Sequence, residues 1–454
     1  MLELLAPAGN MEKLKTAFNF GADACYLAGK KFGLRAFSGN FDENELAEAV
    51  TLAHSMSKKI YVTVNIVAHN CDYVGMKEYL EFLQKIGVDG IIVSDIGIMQ
   101  LALNCAPKLD LHVSTQANIT NKYTAKFFCD MGAKRLVLAR ELSIEEIKEI
   151  RDFIPKDVEI ETFVHGAMCI SYSGRCLLSN YLSGRDSNRG ACIQACRFEY
   201  SICEKSRHGE HYDIQEDERG TYILNSKDLC MIEYIDKLVD AGVTSFKIEG
   251  RMKSPYYVAT ITNAYRRAID DFEDKKTFDA SLLDEVEKTS HRRYTTGFYF
   301  GAKDKEYIED SMPIQSYEFM AIVKEDAKDG FAKIEQRNRF KVGDVLEVLS
   351  PNDTFNKKII VDYMEDEDGN AISDASLVQQ IIMLKTDLPL KAGDILRKEQ
   401  QNFWNNEIKL SGAVKIATTF FLFIKSLMVL IRVFLFIQKI IAKNCTDFWP
   451  LKSQ

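Results

Sequence analysis

A three-residue phrase that begins with glycine recurs four times between residues 21 and 244, each time before a short apolar segment. The four phrases are Gly21-Ala22-Asp23, Gly87-Val88-Asp89, Gly132-Ala133-Lys134 and Gly242-Val243-Thr244. Glycine readily adopts the left-handed conformation that ends a helix, and the apolar residues after it are typical of a buried parallel strand. Each phrase therefore predicts a connection from a helix into a strand.

Eight short apolar segments alternate with amphipathic stretches between residues 2 and 251. The predicted strands are residues 2–5, 24–27, 59–64, 90–94, 111–114, 135–139, 158–164 and 245–248. Eight β/α repeats favour an α/β fold with a closed (β/α)8 barrel of the TIM type in residues 1–300. A doubly wound open sheet is the alternative that the pattern leaves open.

Residues at the carboxyl ends of the predicted strands are the first candidates for chemistry, because barrel enzymes build their sites there. These residues are Pro7, Asn65, Asp95, Gln116, Asn118, Arg140, Glu141, His165, Glu249 and Arg251. Any single one is also explained as a helix cap or a hydrogen-bonded rim residue. Together they predict a polar mouth, in which we select Asn65, Gln116, His165, Glu249 and Arg251 as catalytic candidates.

Four cysteines follow the seventh predicted strand in a glycine- and serine-rich stretch. Cys169, Cys176, Cys192 and Cys196 are separated by six, fifteen and three residues. Cysteines can be small buried hydrophobes, but several thiols in a loop-rich stretch favour zinc or an iron–sulfur cluster. We therefore predict a cysteine-rich insertion, residues 166–230, that places a metal site over the barrel mouth.

Cys230 is a further candidate ligand. Asn225, Ser226 and Asp228 are good capping residues, so Cys230 is predicted to open a helix that runs through Leu238. A thiolate at a helix amino terminus is stabilised by the helix dipole. Spacing alone does not decide whether Cys196 or Cys230 would be the fourth ligand.

The cysteine-rich stretch resembles the signature of the collagenase-like peptidase family, peptidase family U32 of unassigned catalytic type. The matching residues are Glu161, Gly166, Ala167, Cys169, Gly174, Cys176 and Ser179. Two further family stretches are NSKDLC with FKIEGRMKSPYYVA, at 225–230 and 246–259, and RRYTTGF at 292–298. The resemblance covers about residues 1 to 400.

Within this family the chain is most similar to a bacterial branch that modifies transfer RNA. The resemblance implies a [4Fe-4S] cluster held by Cys169, Cys176, Cys192 and Cys230. It also implies oxygen-independent hydroxylation of the wobble uridine to 5-hydroxyuridine at position 34, with prephenate as co-substrate. The expected partners are therefore transfer RNA, a prephenate-like small molecule and a redox partner.

The net charge of −8 and the pI near 5.6 show no overall basic footprint, so an RNA contact has to be local. Residues 254–300 and their surroundings interleave basic with aromatic side chains, which predicts either an RNA contact or a mixed solvated face. The set is Lys247, Arg251, Lys253, Arg266, Arg267, Arg292 and Arg293 with Tyr256, Tyr257, Tyr265, Tyr294 and Phe298.

Between residues 197 and 221 the polar sequence predicts a surface excursion or hairpin, with His208 and His211 in a solvated turn rather than a zinc site.

Two segments follow the barrel. Residues 316–400 contain short alternating strands and the turn phrases KVGDVLEV and KAGDIL, which predict a small β-barrel domain. Residues 401–454 form an atypical apolar and basic tail whose uncharged runs are shorter than the roughly 20 residues of a membrane span. An interfacial helix and a foreign tail from an altered reading frame are both compatible with it, and we assign it no function.

The start of the chain shows no basic region followed by a long apolar run, so no secretory signal and a cytoplasmic location are expected. With eleven cysteines, an odd number, a disulfide framework is not expected. Two other functions remain open. One is a peptidase, with a cysteine nucleophile and His165 as its base. The other is a scaffold in which a metal only joins the insertion to the barrel.

Overall fold

The computed structural model describes residues 2–32, 40–169, 171–197, 201–203, 211–213, 227–301 and 314–400. The predictions for the tail at 401–454, for His208 and for the side chain of His211 lie outside these residues. Residues 1–399 form one compact unit. In the described part of the chain, no helix combines the length and the apolar character that crossing a membrane requires.

The strands of the first 300 residues confirm the predicted alternation. In chain order they are β1 (Glu3–Pro7), β2 (Ala24–Leu27), β3 (Lys59–Val64), β4 (Gly90–Val93), β5 (Asp110–Val113), β6 (Arg135–Val137), β7 (Glu159–Ala167), β8 (Ser201–Cys203), β9 (His211–Asp213), β10 (Asp228–Cys230), β11 (Ser245–Ile248) and β12 (Tyr294–Thr295). Strands β1 to β7 pair in parallel with their sequence neighbours. Strand β11 pairs in parallel with both β7 and β1, which closes the barrel and excludes the open-sheet alternative.

Helices cover the outside of this barrel. They are α1 (Met11–Asn19), α2 (Glu43–Ser55), α3 (Met76–Ile86), α4 (Ile96–Cys105), α5 (Lys122–Asp130), α6 (Ile144–Phe153), α7 (Leu178–Ser183), α8 (Ile235–Asp240), α9 (Pro255–Glu273) and α10 (Ser281–Val286). The four glycine phrases behave as predicted, because Gly21, Gly87, Gly132 and Gly242 all have φ between +84° and +99° at helix ends. Asp95, which follows β4, caps α4 by accepting the backbone N–H of Ile98, one of the two roles that the sequence analysis allowed for it.

The interior of the barrel contains an ionic network near the amino ends of its strands, which we call the barrel floor (Glu3, Arg135, Glu161 and Lys247). The buried Arg135 guanidinium donates to Glu3 and, over 3.2 Å, to Glu161. Lys247 Nζ donates to the other oxygen of Glu161 over 2.6 Å. Each buried charge therefore has an oppositely charged partner, as burial requires.

An irregularity in β7 decides which way its last side chains face. Lys247 of β11 pairs with Phe163, but Ile248 pairs with His165, so Val164 is passed over in the ladder. A skipped residue shifts the alternation of faces by one. His165 therefore lies on the same side as Ile248, toward the helix layer, and not on the side of Lys247 in the barrel interior.

Strand β10 corrects the prediction for Cys230. Residues 228–230 pair antiparallel with β7, with Cys230 opposite His165, and helix α8 begins only at Ile235. The prediction that Cys230 opens a helix is therefore wrong. The hairpin predicted for residues 197–221 is confirmed by the antiparallel pairing of β8 with β9.

The C-terminal region is an antiparallel sheet with its own core. Its strands are β13 (Tyr317–Val323), β14 (Phe331–Gln336), β15 (Phe340–Lys341), β16 (Val345–Leu349), β17 (Lys358–Ile360), β18 (Met364–Glu365), β19 (Ala371–Ile372), β20 (Asp374–Ala375), β21 (Ile381–Lys385) and β22 (Ile395–Glu399). Eight of them form one sheet in the order β17-β16-β22-β13-β14-β21-β18-β19, and β15 pairs with β20. Arg397 of β22 is buried between Glu347 of the same sheet and Glu285 of α10, which joins the sheet to the barrel's helix layer.

Candidate functional site

The cysteine-rich insertion leaves β7 and is tied to the carboxyl ends of several barrel strands. The Ser173 N–H donates to the Glu141 carboxylate after β6 over 3.1 Å. At the other side, Arg189 makes a two-pronged ion pair with Asp72 after β3, at 2.7 and 2.9 Å. These contacts place the insertion over the barrel mouth, as its position in the sequence predicted.

Gly174 shows how closely the insertion approaches the barrel. It has φ +74°, and a Cβ atom built on it would lie 2.4 Å from the backbone oxygen of Gln116, one of the predicted site residues. No side chain fits at such a distance from a carbonyl oxygen, so this position requires glycine. The family-signature glycine thus permits direct contact between the insertion and the residue after β5.

Three of the cysteines predicted as ligands lie in the insertion. Burial raises the pKa of Cys169, and the charges of Cys176 and Cys192 act in the same direction, whereas a backbone hydrogen bond from Ser171 and the charge of Arg140 act to lower it. Burial also acts against ionisation of Cys176, but its hydrogen bonds, first of all from Ser171, hold its pKa below the ordinary value. The backbone N–H of Gln194 donates to the Cys192 sulfur over 3.3 Å. N–H groups aimed at sulfur are typical of thiolates that bind iron.

Cys230 does not join these three thiols. It is 8% exposed, and burial raises its pKa to about 11. The Tyr265 hydroxyl, on α9, lies 3.9 Å from its sulfur. Within the described residues, no three Cys, His, Asp or Glu side chains are arranged as ligands of one metal ion. The assignment of Cys169, Cys176, Cys192 and Cys230 as ligands of one cluster therefore stays a prediction, and the half-buried Cys196 stays the competitor of Cys230.

Polar side chains at the barrel mouth retain hydrogen-bonding capacity. Asn65 Nδ2 lies 3.5 Å from the Ser114 hydroxyl, which also accepts the N–H of Gln116 over 3.2 Å. The side-chain oxygens of Asn65, Gln116 and Asn118 are buried without a hydrogen-bond partner. Such atoms in a native structure call for water or a ligand. Ser114, which the sequence analysis did not select, is recognisable only because it ends the fifth predicted strand.

Arg140 completes this mouth. Its Nη1 donates to the carbonyl of Ala167 over 2.8 Å, and its guanidinium stacks over Phe163 at 4.0 Å. Its Nε is buried without a hydrogen-bond partner. A guanidinium with a remaining N–H is suited to a carboxylate ligand.

His165 is held by aromatic side chains behind the barrel wall. It is 1% exposed, and its ring centroid lies 5.2 to 6.2 Å from those of Tyr257, Tyr265 and Tyr294. Tyr265 and Tyr294 hydroxyls contact its two ring nitrogens at 3.3 and 3.4 Å. Burial, together with the positive charges of His291 and Lys253, lowers its pKa to about 3. The structure thus places Asn65 and Gln116 together at the barrel mouth, whereas His165 lies behind the barrel wall.

Glu249 and Arg251 follow β11. Glu249 accepts a hydrogen bond from the Tyr26 hydroxyl, over 3.3 Å, and Tyr26 belongs to the apolar cluster inside the barrel. Glu249 therefore faces the interior. Arg251 is buried, and its carbonyl accepts from Lys13 over 3.2 Å. Both catalytic roles stay predictions.

The basic and aromatic stretch after β11 is not a base-stacking surface. Tyr256, Tyr257 and Tyr265 of α9 are buried against the barrel and the C-terminal sheet. Arg267 donates to the carbonyls of Ser350 and Pro351 in the C-terminal sheet region. The prediction that these tyrosines stack RNA bases is therefore wrong, because α9 is a core helix.

Two protein-family models and several known proteins match this chain. The model of peptidase family U32 matches residues 9–309, and that of the peptidase family U32 C-terminal domain matches residues 315–397. The chain is 40% identical over 402 residues to tRNA hydroxylation protein P1 of Bacillus subtilis, covering 87% of this chain and 94% of that protein. It is 38% identical over 419 residues to tRNA hydroxylation protein P of Escherichia coli, covering 82% and 90%.

A further relative acts on a different RNA. The chain is 37% identical over 306 residues to the 23S rRNA 5-hydroxycytidine C2501 synthase of Escherichia coli, which covers 65% of this chain and 45% of that protein. The family resemblance seen in the cysteine signature is thus confirmed over both the barrel and the C-terminal sheet. The chain belongs to peptidase family U32.

Proposed function

We propose that this protein hydroxylates transfer RNA at the wobble uridine, forming 5-hydroxyuridine at position 34 without dioxygen. The observation that carries the proposal is the cysteine-rich insertion held over the polar mouth of the barrel by the Ser173–Glu141 and Arg189–Asp72 contacts. It is supported by relatives named tRNA hydroxylation proteins, which match over most of this chain. A barrel mouth with a redox-active lid suits an oxidation of a nucleobase.

The thiols of the insertion suit an iron–sulfur cluster better than plain packing. The lowered pKa of Cys176 and the N–H bond to the Cys192 sulfur both favour thiolates, which bind iron. Cys169, Cys176 and Cys192 would hold a [4Fe-4S] cluster, with Cys230 as the fourth ligand and Cys196 as the alternative. When bound, such a cluster supplies one-electron transfer.

The mouth residues fit a small polar co-substrate of the prephenate type, which carries carboxylate and hydroxyl groups. The carboxamides of Asn65, Gln116 and Asn118 offer unpaired hydrogen-bonding atoms, and Arg140 offers an unpaired N–H to a carboxylate. Replacing the C5 hydrogen of uridine by hydroxyl removes two electrons and requires an oxygen source. In this proposal the C–O bond of the small molecule breaks and its hydroxyl is delivered at the oxidation level of water. The C5 hydrogen leaves as a proton, and a redox partner accepts the two electrons.

Glu249 is the acid–base residue of this proposal. Its carboxylate lies on the interior side of the barrel beside the Tyr26 hydroxyl, which orients it. A carboxylate so placed accepts the proton that leaves the uridine ring. The insertion above it keeps bulk water from the reacting atoms.

The test is transfer RNA from a strain that lacks this gene, analysed by mass spectrometry. The level of 5-hydroxyuridine and its derivatives should fall, and the wild-type gene should restore it while Cys169→Ser and Glu249→Ala should not. An unchanged level in the deletion strain rejects the proposal. A Glu249→Ala or Arg251→Ala gene that restores the level fully would favour the scaffold function instead.

The peptidase function has the family name in its favour but lacks a suitable base. His165, the histidine nearest in sequence to the cysteines, is packed among tyrosines with a pKa of about 3. A neutral, enclosed imidazole is poorly placed to take a proton from a thiol at the mouth. Peptide hydrolysis by the colourless, iron-free protein would reverse this judgement.

A further inference from the structure

The insertion carries large apolar and aromatic side chains that nothing in the described chain covers. Tyr172 is 60% exposed, Leu177 69%, Tyr181 88% and Leu182 49%. Leu177 and Tyr181 are four residues apart at and within α7, so they share one helix face. We call these four residues with Arg175 the insertion face. Several exposed side chains of this size within eleven residues of one loop-rich segment indicate a binding surface.

The charge of the insertion is opposite to that of the protein. Residues 169–197 contain four arginines, one aspartate and no lysine or glutamate, in a chain whose net charge is −8. Arg175 is exposed and lies between Tyr172 and Leu177. Local positive charge on an acidic protein attracts a polyanion to that one place. Aromatic side chains beside arginine are the features that bind unpaired nucleotides.

A groove of about 410 Å³ beside the insertion does not contribute free positive charge to this surface. Its three cations, Arg189, Lys30 and Lys31, are ion-paired with Asp72, Asp42 and Glu43.

We propose that the insertion face binds the unpaired nucleotides around the target base of an RNA loop. Tyr172 and Tyr181 stack on bases, Leu177 and Leu182 pack against them, and Arg175 contacts a phosphate. This assignment rests on the proposed function, because the insertion covers the mouth into which the target uridine would enter. An RNA duplex, whose bases are already stacked, cannot use this face.

Binding of a fluorescent anticodon stem-loop by the full chain, purified anaerobically, tests the proposal. Tyr181→Ala and Tyr172→Ala should each raise Kd about 5-fold or more, the loss expected for one stacked base. Tyr181→Phe should bind like the wild type, because it keeps the ring. Tyr123→Ala removes an equally exposed tyrosine (70%) from α5 and should change nothing. The wild type should prefer the stem-loop to a blunt duplex of equal length.

Salt dependence tests Arg175 separately. Arg175→Ala should reduce the slope of log Kd against log salt by about 0.7, the contribution of one phosphate contact on a single strand. Arg339→Ala, an exposed arginine of the C-terminal sheet region paired with Asp374, should leave the slope unchanged.

The outcomes separate this proposal from the proposed function. If the Tyr172→Ala/Tyr181→Ala double variant binds the stem-loop like the wild type, the insertion face is not an RNA surface, whether or not the cell's transfer RNA is hydroxylated. If RNA binding is unchanged but hydroxylation is lost, the face docks a redox protein and our assignment is overturned. If the wild type binds no RNA, both the assignment and the transfer-RNA substrate fail.

Discussion

The two ends of the barrel differ in whether their polar side chains have partners within the chain. At the barrel floor, Arg135 and Lys247 are matched by Glu3 and Glu161, so the chain satisfies its own charges. At the mouth, side-chain atoms of Asn65, Gln116 and Arg140 are buried without a partner. Buried polar atoms without a partner at the carboxyl ends of barrel strands are candidates for contact with water or a ligand, whereas the paired charges at the floor contribute to structure. The comparison predicts that substitutions at the floor change stability and that substitutions at the mouth change activity.

The largest expected effect is at the cysteines above the mouth. Cys169→Ser, Cys176→Ser and Cys192→Ser should each abolish iron binding and hydroxylation, because a serine hydroxyl is a poor ligand for iron. Iron and sulfide analysis of anaerobically purified protein measures this. Cys71→Ser, at an exposed thiol of the barrel, is the matched control and should keep its iron.

The same measurement identifies the fourth ligand. If Cys230 binds the cluster, Cys230→Ser loses iron and Cys196→Ser keeps it. The opposite result assigns the role to Cys196. Retention of iron by a triple variant of Cys169, Cys176 and Cys192 would contradict the cluster altogether.

At the floor, Arg135→Ala should destabilise the fold by about 3–5 kcal/mol, because it removes the cation paired with the half-buried Glu3 and leaves the buried Glu161 with Lys247 alone. The midpoint of urea unfolding measures this. Burial acts to raise the pKa of Glu3, but the neighbouring Arg135 holds this pKa below its ordinary value of 4.5. This carboxylate therefore stabilises the fold above that value, and the stabilisation is lost as pH falls through the lower pKa of the folded state. An unchanged urea midpoint for Arg135→Ala would show that the ion pairs at the barrel floor do not stabilise the fold.

At the mouth, Asn65→Ala and Gln116→Ala should leave the urea midpoint nearly unchanged. Each should lower kcat/KM for the small co-substrate about 2- to 10-fold, the effect of one lost hydrogen bond of about 0.5–1.5 kcal/mol. Steady-state kinetics and urea unfolding of the same preparations check both parts. A loss of stability with full activity would show that these carboxamides are structural.

The smallest effect concerns His165 near neutral pH. With a pKa of about 3 it stays neutral, so its imidazole resonances should not titrate between about pH 5 and 8. Its folded pKa lies below the unfolded value, so its contribution to stability is complete above about 6.5 and is lost as pH falls toward the folded pKa. Titration near neutrality would show that His165 reaches solvent at the mouth.

Local pattern was sufficient for much of the barrel. Residues 24–27, 59–64 and 245–248 were predicted with the observed bounds of β2, β3 and β11. These short apolar segments follow turns whose conformation is local, so few distant contacts are needed to position them. Strand β7 runs three residues past its predicted end because β10, more than sixty residues later, pairs with its last residues.

The site was predictable in part for the same reason. Cysteine spacing in a glycine- and serine-rich stretch predicted a shared metal site for Cys169, Cys176 and Cys192, and this stays a prediction, because the described residues show no three ligands arranged around one metal ion. The helix predicted to begin at Cys230 was wrong. Asp228 is a residue type that often caps a helix, but here it lies in a strand and its carboxylate accepts the backbone N–H of Arg292. The RNA contact predicted for the tyrosines of α9 was wrong for another reason: the sequence does not show that these side chains are buried.

By itself, the sequence determined the β/α alternation of residues 1–300 and the short antiparallel strands of the C-terminal region, because both depend on short-range periodicity and turn chemistry. The pairing of β11 with β1 and β7, which closes the barrel, was decided by the tertiary structure. Only the tertiary structure decided which side of the wall His165 and Cys230 face. A side chain's face depends on the hydrogen-bond register of its strand, and one residue passed over at Val164 reverses it. That register is set by partner strands far away in the chain, whose pairing no local pattern records.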